Sequence, residues 1–291
     1  MTLREALTAA AAQLAADQHL RDTATRDAEL LLLHTLQIPR VTLLAHPHRE
    51  LTPEHQTLYQ NEIARRLRHE PVQYITGQQE FYGLALSVTP AVLIPRPETE
   101  HLVEAVLGLL PADKPIRIAD IGTGSGAIAI ALAAHLPHAT ITALDISTEA
   151  LAVAAANARE HNVADRVRFL QSNLLTALPD ESEPFDAIVS NPPYIPESDR
   201  ATLHPQVRNH EPDAALFAGE TGLDIYRRLI PQAYNSLKTN GLLAMEIGHG
   251  QQPALAALLS AWQHVSFLND LQQIPRVALA RRPATTTGPA R

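Results

Sequence analysis

The stretch that decides the fold is Ile116-Arg-Ile-Ala-Asp120-Ile-Gly122-Thr-Gly124-Ser-Gly126-Ala-Ile-Ala-Ile-Ala-Leu132. A short apolar run ends in an acid, three glycines follow within five residues, and an apolar helical pattern begins at once. Glycines let the backbone take positive φ and come close to a ligand, and a helix start leaves free N–H groups. Strand, glycine turn and helix in this order make a cofactor cradle of the nucleotide or nucleoside type.

Outward from that stretch, apolar runs alternate with helical ones. Candidate strands are 116–121, 140–144, 167–170, 185–190, 241–246, 265–268 and 277–280, and helical patterns lie near 128–134, 149–161 and 223–237. Buried strand–helix–strand units in series predict a parallel, twisted sheet covered on both faces. The last two candidates are joined only by Asn269 to Arg276, too short for a crossover helix, so the final strand is expected to run antiparallel.

Toward the N-terminus the pattern is helical. Thr2 and Glu5 form a capping-box pattern, a second helix is expected over 25–36, and Thr52-Pro53 opens a third whose Tyr59, Ile63 and Leu67 share one face. Residues 71–77 read as turn-rich, 81–88 alternate as a hairpin, and Pro95 and Pro97 exclude a helix interior until Pro97 or Glu98 opens the next helix. The expected organisation is a helical module over 1–77, a β-hairpin linker over 78–96 and an α/β domain over 97–291, with 281–291 read as disordered.

Composition narrows the function. The 291 residues carry 23 Lys+Arg against 31 Asp+Glu, a net charge of −8, which argues against a surface built to grip phosphate backbones. The absence of Cys excludes disulfides, thiolate zinc sites and thiol nucleophiles. His46-Pro-His48 lacks a nearby third ligand, so no metal site is expected. No secretory leader or membrane-spanning run is recognisable, so a cytoplasmic protein is expected.

The cofactor is not fixed by the glycines, because Gly122-x-Gly124-x-x-Ala127 also matches a dinucleotide fingerprint. Asp145 ends the second strand, where a carboxylate can accept from both ribose hydroxyls, and this suits a nicotinamide dinucleotide and S-adenosylmethionine equally. The fourth strand discriminates. It delivers Asn191-Pro192-Pro193-Tyr194 to its carboxyl end, beside the glycine turn. Two prolines restrain the backbone, so the Asn191 carboxamide and the Pro192 carbonyl can both accept from one planar NH₂ group. That suits methyl transfer to a poor nitrogen nucleophile, an amide or an exocyclic base amine, with Tyr194 stacking on the planar group or closing the wall.

On these residues the chain resembles class I S-adenosylmethionine-dependent methyltransferases. Within them it closely resembles the HemK/PrmC family, the peptide chain release factor glutamine N5-methyltransferases. The resemblance rests on Pro71–Gly77, Leu93-Ile-Pro-Arg-Pro-Glu-Thr-Glu100, Asp120–Gly126, Ser190–Ile195, Glu211-Pro212, Gly222–Tyr226 and Glu246-Ile-Gly248. It implies a Rossmann-like seven-stranded sheet with an antiparallel last strand, S-adenosylmethionine as cofactor, and Gly122, Thr123, Gly124, Ser125 and Gly126 lining its methionine end. Asp145 would hold the ribose, and Asn191, Pro192, Pro193 and Tyr194 would grip the substrate glutamine, with Asn191 also near the cofactor. Where relatives carry an acid and a bulky residue near the adenine, this chain has Asn173 and Leu174, of which only the Asn173 carbonyl can accept. The implied substrate is the glutamine of the Gly-Gly-Gln loop of class-1 release factors, methylated by a monomer to modulate translation termination. The helical module would recognise the factor, and no direct nucleic acid or membrane partner is expected. A nucleic-acid amino-methyltransferase acting on adenine N6 or cytosine N4 is the alternative, and it calls for a basic face or recognition insert that the net charge does not support.

Overall fold

The computed structural model describes residues 1–179 and 181–284. The chain runs through α1 (Leu3–Ala15), α2 (Ala24–Leu36), α3 (Arg40–Ala45), α4 (Pro53–Leu67), α5 (Val72–Thr76), β1 (Gln78–Phe81), β2 (Leu84–Ser87) and α6 (Pro97–Leu109). It continues through β3 (Ile116–Ile121), α7 (Ala127–His135), β4 (Ala139–Asp145), α8 (Thr148–Glu160), β5 (Val167–Gln171) and β6 (Phe185–Ser190). After a 3₁₀ turn over Glu197–Thr202 come α9 (Pro205–His210), α10 (Asp213–Leu216), α11 (Asp224–Ser236), β7 (Leu237–Glu246), α12 (Gln252–Leu258), β8 (Gln263–Asn269) and β9 (Pro275–Arg281). The chain divides into two compact units, residues 1–78 with 201–211, and residues 79–200 with 212–291.

In the first unit, the capping box forms as the sequence predicts. Thr2 Oγ1 accepts from the Glu5 N–H at 3.3 Å and Glu5 Oε2 accepts from the Thr2 N–H at 2.9 Å. Leu3, Ala6, Ala10 and Leu14 then face a core shared with Ala28, Leu31 and Leu32 of α2 and Tyr59 and Ile63 of α4. Within it, Arg66 Nε donates to Asp27 Oδ2 at 2.8 Å with both side chains buried. Residues 72–76, expected to be a turn, form a single helical turn, because Pro71 stands at its N-cap and Gly77, at φ +77°, ends it. The segment 201–211 joins this unit through His204 Nε2, which donates to the His19 carbonyl at 2.9 Å, and His210 Nε2, which donates to the Arg68 carbonyl at 3.1 Å.

In the second unit, all seven predicted strands form one sheet in the order β5-β4-β3-β6-β7-β9-β8. Pairings from β5 to β7 are parallel, and β9 runs antiparallel to both β7 and β8. Strand residues alternate between two apolar layers, as period-2 side chains must. Ile118, Val189 and Leu242 pack with α6 and α7, whereas Ala119, Ile188 and Leu243 pack with α11 and α12. Helix α7 is apolar all round and almost wholly buried, which suits a helix enclosed by neighbours. β1 and β2 pair as a hairpin whose Phe81 and Leu86 join the first layer.

Arg281 completes β9, and the Arg282 N–H donates to the Gly241 carbonyl at 3.0 Å, so the chain reads as ordered strand at the start of the segment expected to be disordered. Residues 285–291 of that segment lie outside the described residues. Among the described residues no helix is long and apolar enough to cross a membrane.

The chain builds β3, β4 and β5 outward, then returns to place β6 on the other side of β3. The carboxyl ends of β3 and β6 therefore lie side by side, with Ile121 opposite Ser190. Such a switch point leaves a crevice in open α/β sheets.

Candidate active site

The glycine turn begins where β3 ends. Gly122, Gly124 and Gly126 all have positive φ, at +71°, +55° and +83°. The N–H groups of Gly122 and Thr123 donate to the Leu144 carbonyl at 2.8 and 3.0 Å, which pins the turn to the end of β4. The three glycines serve different ends. A Cβ at Gly126 would lie 2.9 Å from Ile130 Cδ1 and 3.1 Å from Ala154 Cβ, so this position is small because α7 and α8 press on it. At Gly122 and Gly124 a Cβ would meet nothing within 4 Å. Open space over exposed backbone is what a ligand cradle requires.

Asp120, at 0% exposure, braces the turn from below: Thr123 Oγ1 donates to its Oδ2 at 2.6 Å and the Ala129 N–H at 3.2 Å. Its other oxygen, Oδ1, has no partner among the described residues. Burial pushes the Asp120 carboxyl up to about 7, against the lowering effect of those two hydrogen bonds. Buried Asn157 supports the turn from α8, donating to the carbonyls of Ser125 at 2.9 Å and Ser87 at 3.0 Å.

Asp145, at the carboxyl end of β4, is half-buried beside the turn. Its Oδ2 accepts from the Gly124 N–H at 2.9 Å and its Oδ1 from the Ser147 N–H at 2.9 Å. Each carboxylate oxygen has a second lone pair, so the pair can still accept from a vicinal diol. Asn173 is exposed, and its Oδ1 already accepts from Arg228 Nη2 at 2.6 Å. Leu174, at φ +57°, packs against the apolar layer below.

Across the crevice, Ser190 Oγ donates to the Ile121 carbonyl at 2.7 Å, tying the ends of β6 and β3 together. Asn191 follows. Its Nδ2 donates to Thr99 Oγ1 at 3.0 Å, and Thr99 in turn donates to Glu246 Oε2 at 2.5 Å. The Tyr194 hydroxyl donates to the other oxygen, Glu246 Oε1, at 3.3 Å. Burial pushes the Glu246 carboxyl up to about 7, opposed by the hydrogen bonds from Thr99 and Tyr194, and burial also raises the Tyr194 phenol. Pro192 is buried and Pro193 half-buried.

The Tyr194 backbone is held as closely as its ring. Gln251 Nε2 donates to the Tyr194 carbonyl at 2.9 Å, and Gln251 Oε1 accepts from the Gly248 N–H at 2.9 Å. A Cβ at Gly222 would collide with the Tyr194 carbonyl, and one at Gly248 would sit 3.0 Å from Tyr194 Cδ2. The Tyr226 hydroxyl donates to the Glu246 carbonyl at 2.8 Å.

The structure thus brings Gly122–Gly126, Asp145 and Asn191–Tyr194 to the same carboxyl edge of the sheet. Sequence reasoning gave no role to Thr99, Glu246, Gln251 or Asn157. The first two lie in the runs Leu93–Glu100 and Glu246–Gly248, singled out by resemblance alone, and nothing in either run reveals that they meet.

Comparison with known proteins gives the family. Residues 5–77 match the family described as PrmC N-terminal domain, and residues 100–207 match the Methyltransferase small domain. A release factor glutamine methyltransferase from Koribacter versatilis (strain Ellin345) is 45% identical over 287 residues, covering 98% of this chain and 100% of the relative. One from Moorella thermoacetica is 45% identical, covering 97% and 99%, and one from Coxiella burnetii is 43% identical, covering 88% and 91%. Among solved structures, a methyltransferase from Pyrococcus furiosus superposes with a TM-score of 0.51 at 17% identity, over 77% of this chain and 99% of that one. The hMettl16 catalytic domain in complex with MAT2A 3'UTR hairpin 6 gives 0.56 at 20% identity, over 79% and 84%. At those identities the two structures share the fold alone.

Proposed function

The chain belongs to the release factor glutamine methyltransferase family, and from that premise we propose that it methylates the side-chain amide nitrogen of the glutamine in the Gly-Gly-Gln loop of class-1 release factors. The observation that carries the proposal is the pairing of Ile121 with Ser190, which sets Asn191-Pro192-Pro193-Tyr194 beside the open glycines.

A carboxamide nitrogen is a poor nucleophile because its lone pair is delocalised. Asn191 Oδ1 and the Pro192 carbonyl, each accepting one N–H of the substrate amide, orient that nitrogen and stabilise the positive charge that grows as it pyramidalises. No strong base is required before attack: the methyl would leave the sulfonium sulfur, which becomes a neutral thioether, and one of the two N–H protons would depart to solvent afterwards. Tyr194 packs against the planar amide or closes the wall around it.

The open backbone at Gly122 and Gly124 fits the methionine end of S-adenosylmethionine, and the spare lone pairs of Asp145 fit its ribose hydroxyls. When bound, that cofactor supplies an electrophilic methyl on a sulfonium. Asn173 and Leu174, after β5, are proposed to face the adenine, with the Arg228 bond leaving Asn173 Oδ1 only one lone pair to offer.

The test is transfer of label from S-adenosylmethionine to a purified release factor and to a variant whose loop glutamine is replaced. Label on the first alone supports the proposal. Equal label on both, or label on nucleic acid only, refutes it.

A further inference from the structure

Thr99 and Glu246 stand 147 residues apart in the chain, yet are in contact and are only 4% and 2% exposed. Thr99 has a single hydroxyl proton and directs it at Glu246 Oε2. Toward Asn191 its oxygen can therefore only accept, and it accepts from Nδ2. A carboxamide is nearly the same shape when flipped, so hydrogen bonding alone decides which end points where. With Nδ2 taken by Thr99, the planar group carries Oδ1 to the opposite side, and Oδ1 accepts no hydrogen bond among the described residues.

We infer that Thr99 and Glu246 are positioning residues that lock the Asn191 carboxamide with its oxygen, not its NH₂, toward the substrate nitrogen. The inference rests on the function proposed above, in which Asn191 Oδ1 is an acceptor. Flipped, Asn191 would oppose NH₂ to NH₂, and one of the two acceptors would be lost.

Glu246 sets the polarity of the chain of bonds. Ionised, it can only accept, and it does so from Thr99 and Tyr194. Protonated on Oε2, it donates to Thr99, whose own proton then turns to Asn191 and selects the flipped amide. Groups bearing on Glu246 are Tyr194 after β6, Tyr226 on α11, Glu98 on α6, which raises its carboxyl, and Arg276 on β9, which lowers it; Arg96 and Arg276 both act on Tyr194. Because the active form is the ionised one, kcat/KM falls as pH drops through about 7.

The experiment compares wild type, Thr99→Val, Thr99→Ser and Glu246→Gln for methylation of a purified release factor, with S-adenosylmethionine affinity and melting temperature measured in parallel. Thr99→Val keeps shape but removes the hydroxyl, and should lower kcat/KM by about tenfold, the worth of one hydrogen bond, with cofactor affinity unchanged. Thr99→Ser should restore it. Glu246→Gln, which cannot ionise, should lose the acidic fall in whatever activity it retains. Wild-type kcat/KM in Thr99→Val, a Thr99→Ser variant that folds yet is no better than Thr99→Val, or an unchanged acidic fall in Glu246→Gln overturns the inference. A wild-type enzyme that leaves the glutamine unmodified overturns the proposed function, and this inference with it.

Discussion

Gly126→Ala separates the glycine that packs from the glycines that leave room. At φ +83° a Cβ costs about 1–2 kcal/mol of left-handed strain. Its approach to 2.9 Å of Ile130 Cδ1 and 3.1 Å of Ala154 Cβ adds an overpacking cost of about 1–3 kcal/mol, because α7 and α8 must move apart. Alanine also restricts the unfolded chain, which offsets about 0.4–1 kcal/mol. The net is a loss of about 1–5 kcal/mol, or roughly 2–18 °C in melting temperature for a protein of this size. Gly124→Ala carries strain without collision, and should lose at most about 1.6 kcal/mol by the same reckoning. Its larger effect should be on cofactor affinity. Thermal unfolding of the two variants by circular dichroism, without cofactor, provides the comparison. Equal melting temperatures would refute the reasoning, since they would mean that nothing presses on Gly126.

Other perturbations have equally definite outcomes. Burial raises the Asp120 carboxyl from 3.8 to about 7, so the folded state favours its proton, and stability falls as pH rises through that window by an amount on the order of 4 kcal/mol. Asp120→Asn should flatten the curve from urea unfolding at a series of pH values, and an undiminished slope would contradict the assignment. Arg66→Ala leaves Asp27 buried without its ion-pair partner and should cost about 3–5 kcal/mol in denaturant unfolding; a loss within the range of an exposed pair would show that water reaches Asp27. Asn191→Ala removes an acceptor that matters most in the transition state, and should reduce kcat by about 10²–10³ with cofactor affinity intact, by analogy with the loss of one oxyanion-hole donor. Equal losses in kcat and cofactor binding would move Asn191 to a cofactor role.

Much of this arrangement could be read from local pattern. The central strands announce themselves as apolar runs, because a sheet buried on both faces leaves few polar positions inside a strand, whereas edge strand β8 is mostly exposed and is marked only by Val265, Phe267 and Leu268. β7 departs from the pattern at its start. Lys238, Thr239 and Asn240 are exposed, and the register shift between Phe185 and Ala187 lets the strand begin at Leu237, ahead of the apolar run at Gly241. α5 was hidden because Pro71 and Gly77 read as turn formers, when each only bounds a helical turn. The association of 201–211 with the first unit depends on His204 and His210 finding backbone carbonyls at His19 and Arg68, which no local pattern encodes. The Thr99–Glu246 contact is of the same kind. The motif residues at strand ends were legible because their chemistry is tied to an adjacent turn, and the residues that hold them were not, because folding alone brings them near.

The most direct test of the central claim is fragment mass spectrometry of a release factor after incubation with this protein and S-adenosylmethionine. The account predicts one methyl on the side-chain nitrogen of the Gly-Gly-Gln glutamine. A methyl on any other residue, or an unmodified loop after complete cofactor turnover, would contradict it.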